Sequence, residues 1–307
     1  MSPPRVGYIG LGDIGAPMAW RIHAAGHALS VYNRSPARSA PFAAQGIDVA
    51  ATAAQLATDC DLVFTCVSDT AAMEQLVFGA KGIAEGARPG TLLVDCSTIH
   101  PVRTRELAAR LLRERGMAWV DAPVSGGPAG ARAGTLAVFA GGKAEDVERA
   151  RPVLQAFAGQ VTLMGPVGNG MAAKVCNQML SFGSAAVIAE TLTLAANFGI
   201  DPRLMPKAVT GGFADSNVLR HYGQAMIDGS YAGKSRTGLK DLDIALDIAR
   251  ETGSATPMTS LVASFFRLVI AQGHTNGGLA TPMRLYSEGP LAARPQQDPQ
   301  DAWKETT

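Results

Sequence analysis

Short apolar runs of strand length alternate with longer segments rich in Ala and Leu through the first half of the chain. The runs occupy residues 6–9, 29–32, 62–67, 92–95, 118–121, 135–140 and 161–164. Strands that alternate with helical segments are typical of a parallel sheet with helices on both faces. The pattern therefore predicts an α/β fold built on a doubly wound parallel sheet.

The second half of the chain has a different pattern, because the strand-like runs stop at a glycine-rich cluster. That cluster occupies 165–170, and the helical patterns that follow it occupy 171–198, 205–210, 217–227, 239–251 and 258–272. We expect residues 1–166 to form the sheet domain and residues 167–293 an all-helical domain, joined through the long helix. Residues 294–307 are polar and contain two prolines, which predicts a flexible tail.

Composition and charge exclude several function classes. The chain has 307 residues, of which 47% are hydrophobic and 17% charged, so it can bury the cores of two domains. A formal net charge of +1 provides no basic field for nucleic acid. Four cysteines without paired spacing predict buried thiols in a reducing compartment. The N-terminal residues show no leader pattern, which argues against targeting for export. Polar residues interrupt the longest apolar segment, which argues against a membrane span. We expect a cytoplasmic protein with no membrane partner, no metal site and a ligand held in a local pocket.

The first apolar run leads directly into a G-x-G-x-x-G sequence and then into a helical pattern. The motif consists of Gly10, Leu11, Gly12, Asp13, Ile14 and Gly15. In the order strand, turn, helix, the first glycine permits the tight turn, the second lets the backbone approach a pyrophosphate, and the third allows close packing of helix on strand. These six residues therefore predict a Rossmann dinucleotide-binding domain; the alternative is a glycine-rich turn without a ligand.

The end of the second predicted strand distinguishes NADP from NAD. Enzymes that use NAD usually place Asp or Glu there to bind the ribose 2′-hydroxyl, whereas this chain has Asn33, Arg34 and Ser35. A carboxylate would repel the 2′-phosphate of NADP, while Arg34 can pair with it and Asn33 and Ser35 can donate hydrogen bonds. The sequence therefore favours NADP over NAD; the alternatives are that Arg34 is solvated or stacks on the adenine.

A polar stripe crosses the long apolar helix of the second half. Lys174, Asn177, Gln178 and Ser181 share one helical face in a segment that is otherwise nearly all apolar. Desolvation lowers the pKa of an enclosed lysine, which would let it act as a general base near neutral pH, and Lys240 is a candidate second cation for the same purpose. The alternative is a solvated helix face.

A second candidate site follows the strand at 118–121. Ser125, Gly126 and Gly127 lie in a glycine-rich loop, where the Ser125 hydroxyl and exposed backbone amides could hold a carboxylate. An ordinary turn is the alternative. Lys240 and Asp241 open an amphipathic helix, where such a pair is by itself more typical of a surface charge pair.

Taken together, these residues resemble the β-hydroxyacid dehydrogenase family, which includes 3-hydroxyisobutyrate dehydrogenase and tartronate semialdehyde reductase. The resemblance runs from residue 6 to about residue 273 in ordered blocks. They are G-L-G-D-I-G-A-P-M-A at 10–19, N-R-S at 33–35, C-V-S-D at 66–69, D-C-S-T at 95–98, D-A-P-V-S-G-G at 121–127, G-T-L at 134–136, G-N-G-M-A-A-K-V-C-N-Q at 168–178 and K-D-L at 240–242.

The resemblance implies a role for each of these residues. Lys174 would be the general acid/base of hydride transfer, Asn177 or Gln178 would orient the substrate, and Lys240 would lie beside the nicotinamide. The substrate carboxylate would be bound by Ser125, Gly126 and Gly127, and the cofactor cleft would be lined by Val67, Ser68 and Thr98. The implied activity is an NADP-dependent interconversion of a small β-hydroxy acid and its semialdehyde or keto acid by a homodimer or homotetramer.

Some features of the chain leave the substrate open. Asn177-Gln178 and the segment at 211–216 suggest the semialdehyde-reductase branch of the family. Lys234 and Arg236 stand where relatives often have an apolar residue; they would either favour a second anionic group or form a solvated basic loop. Further substrate contacts could come from His221, Arg284 and Tyr286. An imine reductase on the same fold and a non-catalytic NADP-binding module remain the rival functions.

Overall fold

We describe residues 3–287 of a computed structural model of the chain. The predicted tail at 294–307 and the last residues of the predicted helical domain, 288–293, lie outside the described residues. The chain divides into two compact units, one ending at Lys174 and the other beginning at Val175. This division falls inside the long helix, whereas the boundary predicted after residue 166 precedes the first turn of that helix.

The first unit is built on one mixed sheet of nine strands in the order β3-β2-β1-β4-β5-β6-β8-β7, with β9 paired to β8. The strands are β1 Val6–Ile9, β2 Leu29–Tyr32, β3 Asp48–Val49, β4 Leu62–Thr65, β5 Leu92–Asp95, β6 Ala118–Asp121, β7 Val124–Ser125, β8 Leu136–Gly141 and β9 Ala158–Gly165. All pairs from β3 to β6 are parallel, but β8 runs antiparallel to β6 and β7. The predicted doubly wound sheet is confirmed, with its last strands antiparallel rather than parallel.

Helices cover this sheet. They are α1 Gly15–Ala24, α2 Pro36–Ala43, α3 Ala53–Asp59, α4 Thr70–Phe78, α5 Ile83–Gly86, α6 Pro101–Arg115, α7 Gly127–Ala133 and α8 Ala144–Leu154. Local residues explain several boundaries: the Thr52 and Asp69 side chains accept hydrogen bonds from the first turns of α3 and α4, and Gly116 ends α6 in a left-handed conformation. Polar caps and a terminal glycine therefore set where these helices begin and end.

The core of the first unit lies on both faces of the sheet. Tyr8 and Phe64 belong to one apolar cluster, whereas Ile9 and Val63, their neighbours along β1 and β4, belong to another. Side chains alternate between the faces of a strand, so a strand whose residues are all buried must be covered on both sides. This arrangement explains why the strands appear in the sequence as continuous apolar runs.

The second unit is helical, as predicted. It contains α9 Asn169–Asn197 from Val175 onward, α10 Met205–Ala208, α11 Gln224–Ile227, α12 Ser235–Thr252 and α13 Pro257–Ala271, with 3₁₀ turns at Pro202–Leu204 and Gly278–Leu285 and a π-helical turn at Leu219–Gly223. Within 175–287 the only β pairing is an isolated bridge between Lys234 and Asn276. Each of the five helical patterns predicted for this half corresponds to a helical segment.

Among the described residues, α9 is the one helix long and apolar enough to cross a membrane, a test that the core helix of a soluble protein also passes.

Cys60 and Cys96 are buried as expected, but Cys66 is half-buried and Cys176 is exposed. The prediction of four buried thiols was therefore wrong for Cys176, because apolar neighbours in sequence do not determine which face of a helix is covered.

Candidate functional site

The G-x-G-x-x-G segment forms the turn between β1 and α1. Gly10 has φ of +98°, and a Cβ there would lie 2.1 Å from the carbonyl oxygen of Cys66. A Cβ on Gly15 would lie 1.9 Å from the carbonyl oxygen of Gly10. The fold itself therefore requires these two glycines, since any side chain would collide with backbone that cannot move aside.

Gly12 differs from its two neighbours in the motif. A Cβ built on Gly12 would meet nothing within 4 Å, and its φ lies outside the left-handed range. The fold therefore has no need of a glycine at this position. A bare backbone facing open space at the start of a helix is the arrangement that lets a pyrophosphate approach the turn and the helix N-terminus. The residues present thus fit a dinucleotide.

The end of β2 is tied to this turn by Asn33. The backbone N–H of Leu11 donates to Asn33 Oδ1 at 2.9 Å, and Asn33 Nδ2 donates to the carbonyl oxygen of Ser35 at 3.0 Å. Arg34 and Ser35 are exposed beside it. Asn33 therefore holds the two loops together, and Arg34 is the cation that remains available at the position where NAD enzymes usually carry a carboxylate.

Asp13, also within the motif, lies 3.7 Å from the guanidinium of Arg38 in α2. Both side chains are largely exposed, so this ion pair contributes little to stability.

Val67, Ser68 and Thr98 follow the carboxyl ends of β4, which pairs with β1, and of β5, the next strand in the sheet. The backbone N–H of Val67 donates to Ser97 Oγ at 2.9 Å, and Ser68 Oγ donates to Asp69 Oδ2 at 2.6 Å. Thr98 is half-buried. The strand order reverses between β1 and β4, and ligands of doubly wound sheets bind at such a switch point. The structure therefore brings these residues to the sheet edge that carries the glycine turn.

Buried Asp95 orders the segments after β4 and β5. Its Oδ1 accepts from Thr65 Oγ1 at 3.1 Å and from the N–H of Ser97 at 2.9 Å, and Ser97 in turn holds Val67. Sequence reasoning assigned no role to Asp95. The signal was present, because this carboxylate ends a run of apolar residues in a fully buried strand.

Ser125, Gly126 and Gly127 lie where β7 ends and α7 begins. Gly126 has φ of +127° and Gly127 of +62°, conformations that favour glycine, and Ser125 is half-buried. The two glycines turn the chain sharply after Ser125 and place no side chain over the backbone at 126–127. A carboxylate could therefore reach its backbone amides.

Lys174 lies near the start of α9 and only 6% of it is exposed. Asp121 at the end of β6 accepts from the N–H of Gly168, the residue before α9, and from the N–H of Met171 in the first turn of that helix. Burial raises the pKa of the Asp121 carboxyl to about 7, although the two N–H donors act in the opposite direction. Sequence reasoning had not assigned a function to Asp121.

In the second unit, a chain of hydrogen bonds joins the polar stripe of α9 to α12. Asn177 Nδ2 donates to Gln178 Oε1 at 3.0 Å, and Gln178 Nε2 donates to Asp241 Oδ2 at 2.6 Å. Lys240 Nζ lies 3.2 Å from Asp241 Oδ1, and Asp241 is only 3% exposed. Buried Asp241 thus orients Gln178 and Lys240 together, although the sequence had assigned it only a surface charge pair.

The other candidate substrate residues of the second unit are less enclosed. His221, Lys234 and Arg236 are exposed. The guanidinium of Arg284 lies 3.8 Å from the ring centroid of Tyr231, and Tyr286 Oη donates to Glu190 Oε1 at 3.2 Å. Among residues 3–287, no group of three or more His, Cys, Asp or Glu side chains could hold a metal ion.

Comparisons with known proteins agree with this arrangement. The family model for the NAD binding domain of 6-phosphogluconate dehydrogenase matches residues 5–165, and that for the NAD-binding domain of NADP-dependent 3-hydroxyisobutyrate dehydrogenase matches residues 168–286. The chain is 35% identical to 2-hydroxy-3-oxopropionate reductase of Escherichia coli K12, over 88% of this chain and 92% of the relative. It is 33% identical to NAD-dependent L-serine dehydrogenase of Pseudomonas aeruginosa, over 92% of this chain and 97% of the relative.

A solved structure shows the same architecture. The 3-hydroxyisobutyrate dehydrogenase of Mycobacterium tuberculosis with L-serine matches with a TM-score of 0.82 and 30% identity, over 93% of this chain and 100% of that chain. Two family models together cover both units, and the relatives are matched over nearly their whole length. The chain therefore belongs to the β-hydroxyacid dehydrogenase family of NAD(P)-binding oxidoreductases.

Proposed function

We propose that this chain is an NADP-dependent dehydrogenase that interconverts a small β-hydroxy acid and its semialdehyde or keto acid, with Lys174 as the general acid/base. The observation that carries the proposal is the burial of Lys174, which is 6% exposed, near the start of α9. Because removing an ammonium from water is costly, lysine is seldom buried to this degree unless its charge is paired, and an enclosed lysine is a candidate general acid/base.

The substrate class is supported by the names of the relatives. 2-Hydroxy-3-oxopropionate, L-serine and 3-hydroxyisobutyrate are named as substrates of similar proteins. Each of these compounds has a carboxylate at one end and an alcohol or aldehyde on the third carbon. We therefore infer a small carboxylic acid of this kind as the substrate, bound through its carboxylate by Ser125, Gly126 and Gly127.

In the proposed reaction, the residues of the chain would bind the cofactor, orient the substrate and transfer a proton. NADP supplies or accepts the hydride when it is bound. In oxidation, Lys174 Nζ takes the proton of the substrate hydroxyl, and in reduction it returns that proton to the carbonyl oxygen. Asn177 or Gln178 orients the substrate, and Lys240, held by Asp241, lies beside the nicotinamide. Gly10 to Gly15, Val67, Ser68 and Thr98 hold the cofactor.

The role of Lys174 is tested with Lys174→Ala. The assay follows NADPH oxidation with small aldehyde acids, and NADP reduction with their hydroxy acids, at several pH values. General acid/base groups typically contribute about 10²- to 10⁴-fold, so we expect kcat/KM to fall by that order while the Kd for NADPH stays unchanged. Lys143→Ala removes an exposed lysine of the same unit, 72% exposed at its side chain, and is the control.

Two results would contradict this proposal. If Lys174→Ala has the same kcat/KM as the wild type, Lys174 is not the general acid/base. Tight NADPH binding by the wild type without turnover of any hydroxy acid or aldehyde acid would favour imine reduction, which the same assay tests with cyclic imines. Failure with imines as well would favour a non-catalytic NADP-binding module.

We also propose that Arg34 selects NADP. Arg34 is exposed after β2, at the position of the missing carboxylate, and Arg pairs with phosphate through a planar pair of N–H donors. Loss of a charge-assisted contact of about 1.5–3 kcal/mol corresponds to a roughly 10- to 150-fold rise in Kd. In Arg34→Ala we therefore expect this rise for NADPH, with the Kd for NADH changed less than about twofold. Equal changes for both cofactors would show that Arg34 does not read the 2′-phosphate.

A further inference from the structure

The first turn of α9 is docked onto the carboxyl end of β6 by a single buried carboxylate. Asp121 Oδ1 accepts from the N–H of Gly168 at 2.7 Å, and Asp121 Oδ2 accepts from the N–H of Met171 at 2.8 Å. Asp121 itself is fully buried. The first N–H groups of a helix have no partner within it, and a carboxylate is the best acceptor for two of them. Asp121 thus fixes both the position and the rotation of this turn.

The same turn is confined from the side of β8. A Cβ on Gly170 would lie 2.3 Å from the carbonyl oxygen of Phe139, and a Cβ on Gly141 would lie 2.5 Å from Asp121 Oδ1 and 2.7 Å from the N–H nitrogen of Gly170. The helix start therefore lies directly against the backbone of β8, with no room for a methyl group on either side. Because β8 leaves no space on this side, the first turn of α9 cannot move toward the sheet.

A third contact comes from α6. Arg105 Nε donates to the carbonyl oxygen of Val167 at 3.1 Å, and Arg105 Nη2 donates to Asn169 Oδ1 at 3.1 Å. Arg105 thus binds the residues on either side of Gly168, while Asp121 binds Gly168 itself and Met171. A helix of 29 residues is stabilised mainly by packing along its length, so these contacts matter chiefly for where its first turn lies.

This first turn of α9 lies directly before Lys174 along the helix. Met171, which donates to Asp121, precedes Lys174 by three residues, close to one helical turn. We propose that Asp121 is a positioning residue for Lys174: by binding the first turn of α9 it sets where the lysine ammonium lies for proton transfer. This inference rests on the proposed role of Lys174 and adds to it a residue that would not contact the substrate or the cofactor.

The test replaces Asp121 by Asn, which has the same shape but keeps only one acceptor oxygen. Steady-state kinetics are measured at pH 8, where Asp121 is ionised because its pKa is about 7. A misplacement of about 1 Å can cost roughly 100-fold in rate, so we expect kcat to fall by about 10- to 100-fold. KM for the substrate and the Kd for NADPH should change less than about twofold.

Asp146→Asn is the matched control, because Asp146 is also a buried carboxylate of the first unit, 8% exposed, and pairs with Arg149 in α8. It should leave kcat unchanged. Gly170→Ala is a second perturbation that keeps the Asp121 carboxylate, and its Cβ would displace the helix start from the carbonyl oxygens of Phe139 and Asp121, 2.3 and 2.7 Å away. We expect it to lower kcat in the same way.

Hydrogen exchange measured by mass spectrometry reports on the turn independently of activity. In Asp121→Asn, amides of residues 168–174 should exchange at least about tenfold faster, while those of α8 keep the wild-type rate. Faster exchange with unchanged kcat would overturn the proposal, because the contact would then be structural only. A fall in kcat with unchanged exchange at 168–174 would also overturn it.

The two proposals can fail separately. If the wild type turns over none of the substrates, the proposed function fails, and hydrogen exchange alone then decides whether Asp121 fixes the first turn of α9. If both the wild type and Lys174→Ala are active, the dehydrogenase activity stands, but the proposal that Asp121 positions Lys174 for proton transfer is overturned.

Discussion

The sharpest consequence of the glycine turn concerns Gly12. Its Cβ would meet nothing within 4 Å, whereas a Cβ on Gly15, three residues later, would lie 1.9 Å from the carbonyl oxygen of Gly10. The same change to alanine should therefore have opposite effects at the two positions. Gly12→Ala should keep the fold and weaken cofactor binding, while Gly15→Ala should destabilise the fold.

The magnitudes follow from the contacts. An alanine that fits the native backbone without strain stabilises a protein by about 0.4–1 kcal/mol, so we expect Gly12→Ala to unfold at or slightly above the wild-type temperature. An extra methyl forced into a filled contact costs about 1–3 kcal/mol. At Gly12 that cost appears only when the pyrophosphate is present, as a roughly 5- to 150-fold higher Kd for NADPH. At Gly15 it appears in the free energy of unfolding.

Two measurements check this prediction: NADPH binding followed by fluorescence titration, and urea unfolding of the unliganded protein. Wild-type affinity in Gly12→Ala would refute the assignment of this turn to the pyrophosphate. A loss of stability in Gly12→Ala as large as that in Gly15→Ala would refute the argument from open space. In that case the weaker binding would follow from a damaged fold.

Two further predictions concern stability and assembly. The folded protein keeps the Asp121 proton up to the raised pKa of about 7, while the unfolded chain loses it near 3.8. The free energy of unfolding should therefore fall by up to about 4 kcal/mol between about pH 4 and 7. Urea unfolding at several pH values should show this slope in the wild type but not in Asp121→Asn; equal slopes would contradict it. Leu180 and Leu194, 74% and 71% exposed and fourteen residues apart on α9, predict a helix face covered by a second copy of the chain. Leu180→Glu should lower the mass measured by light scattering, while Leu112→Glu, which changes a 50% exposed leucine of α6 in the first unit, should not; a monomeric wild type would contradict this prediction.

Much of the fold could be predicted because its signals are local. Apolar runs marked seven of the nine strands, and the 3.6-residue period marked the helices of the second unit. The two strands that were missed, Asp48–Val49 and Val124–Ser125, have two residues each, too few to show an alternation. The antiparallel direction of β8 was also missed, because strand direction depends on the path of the connection rather than on the residues of the strand.

The candidate site divides in the same way. Gly10, Gly12 and Gly15 could be assigned from sequence because their spacing along six residues carries the chemistry, and the stripe from Lys174 to Gln178 because a helix brings such neighbours to one face. Asp95, Asp121 and Asp241 could not be assigned. Their charges were visible in the sequence, but their partners were not.

Sequence by itself determined most of the strands and helices along the chain, the dinucleotide turn and the polar face of α9, since each depends on residues within about two helical turns of one another. Only the tertiary structure decided which buried carboxylates hold the functional segments in place. Asp121 binds backbone 47 and 50 residues away, and Gln178 binds Asp241 63 residues away. Contacts between such distant residues form only when the chain has packed, because no local pattern specifies which polar group will lie opposite another.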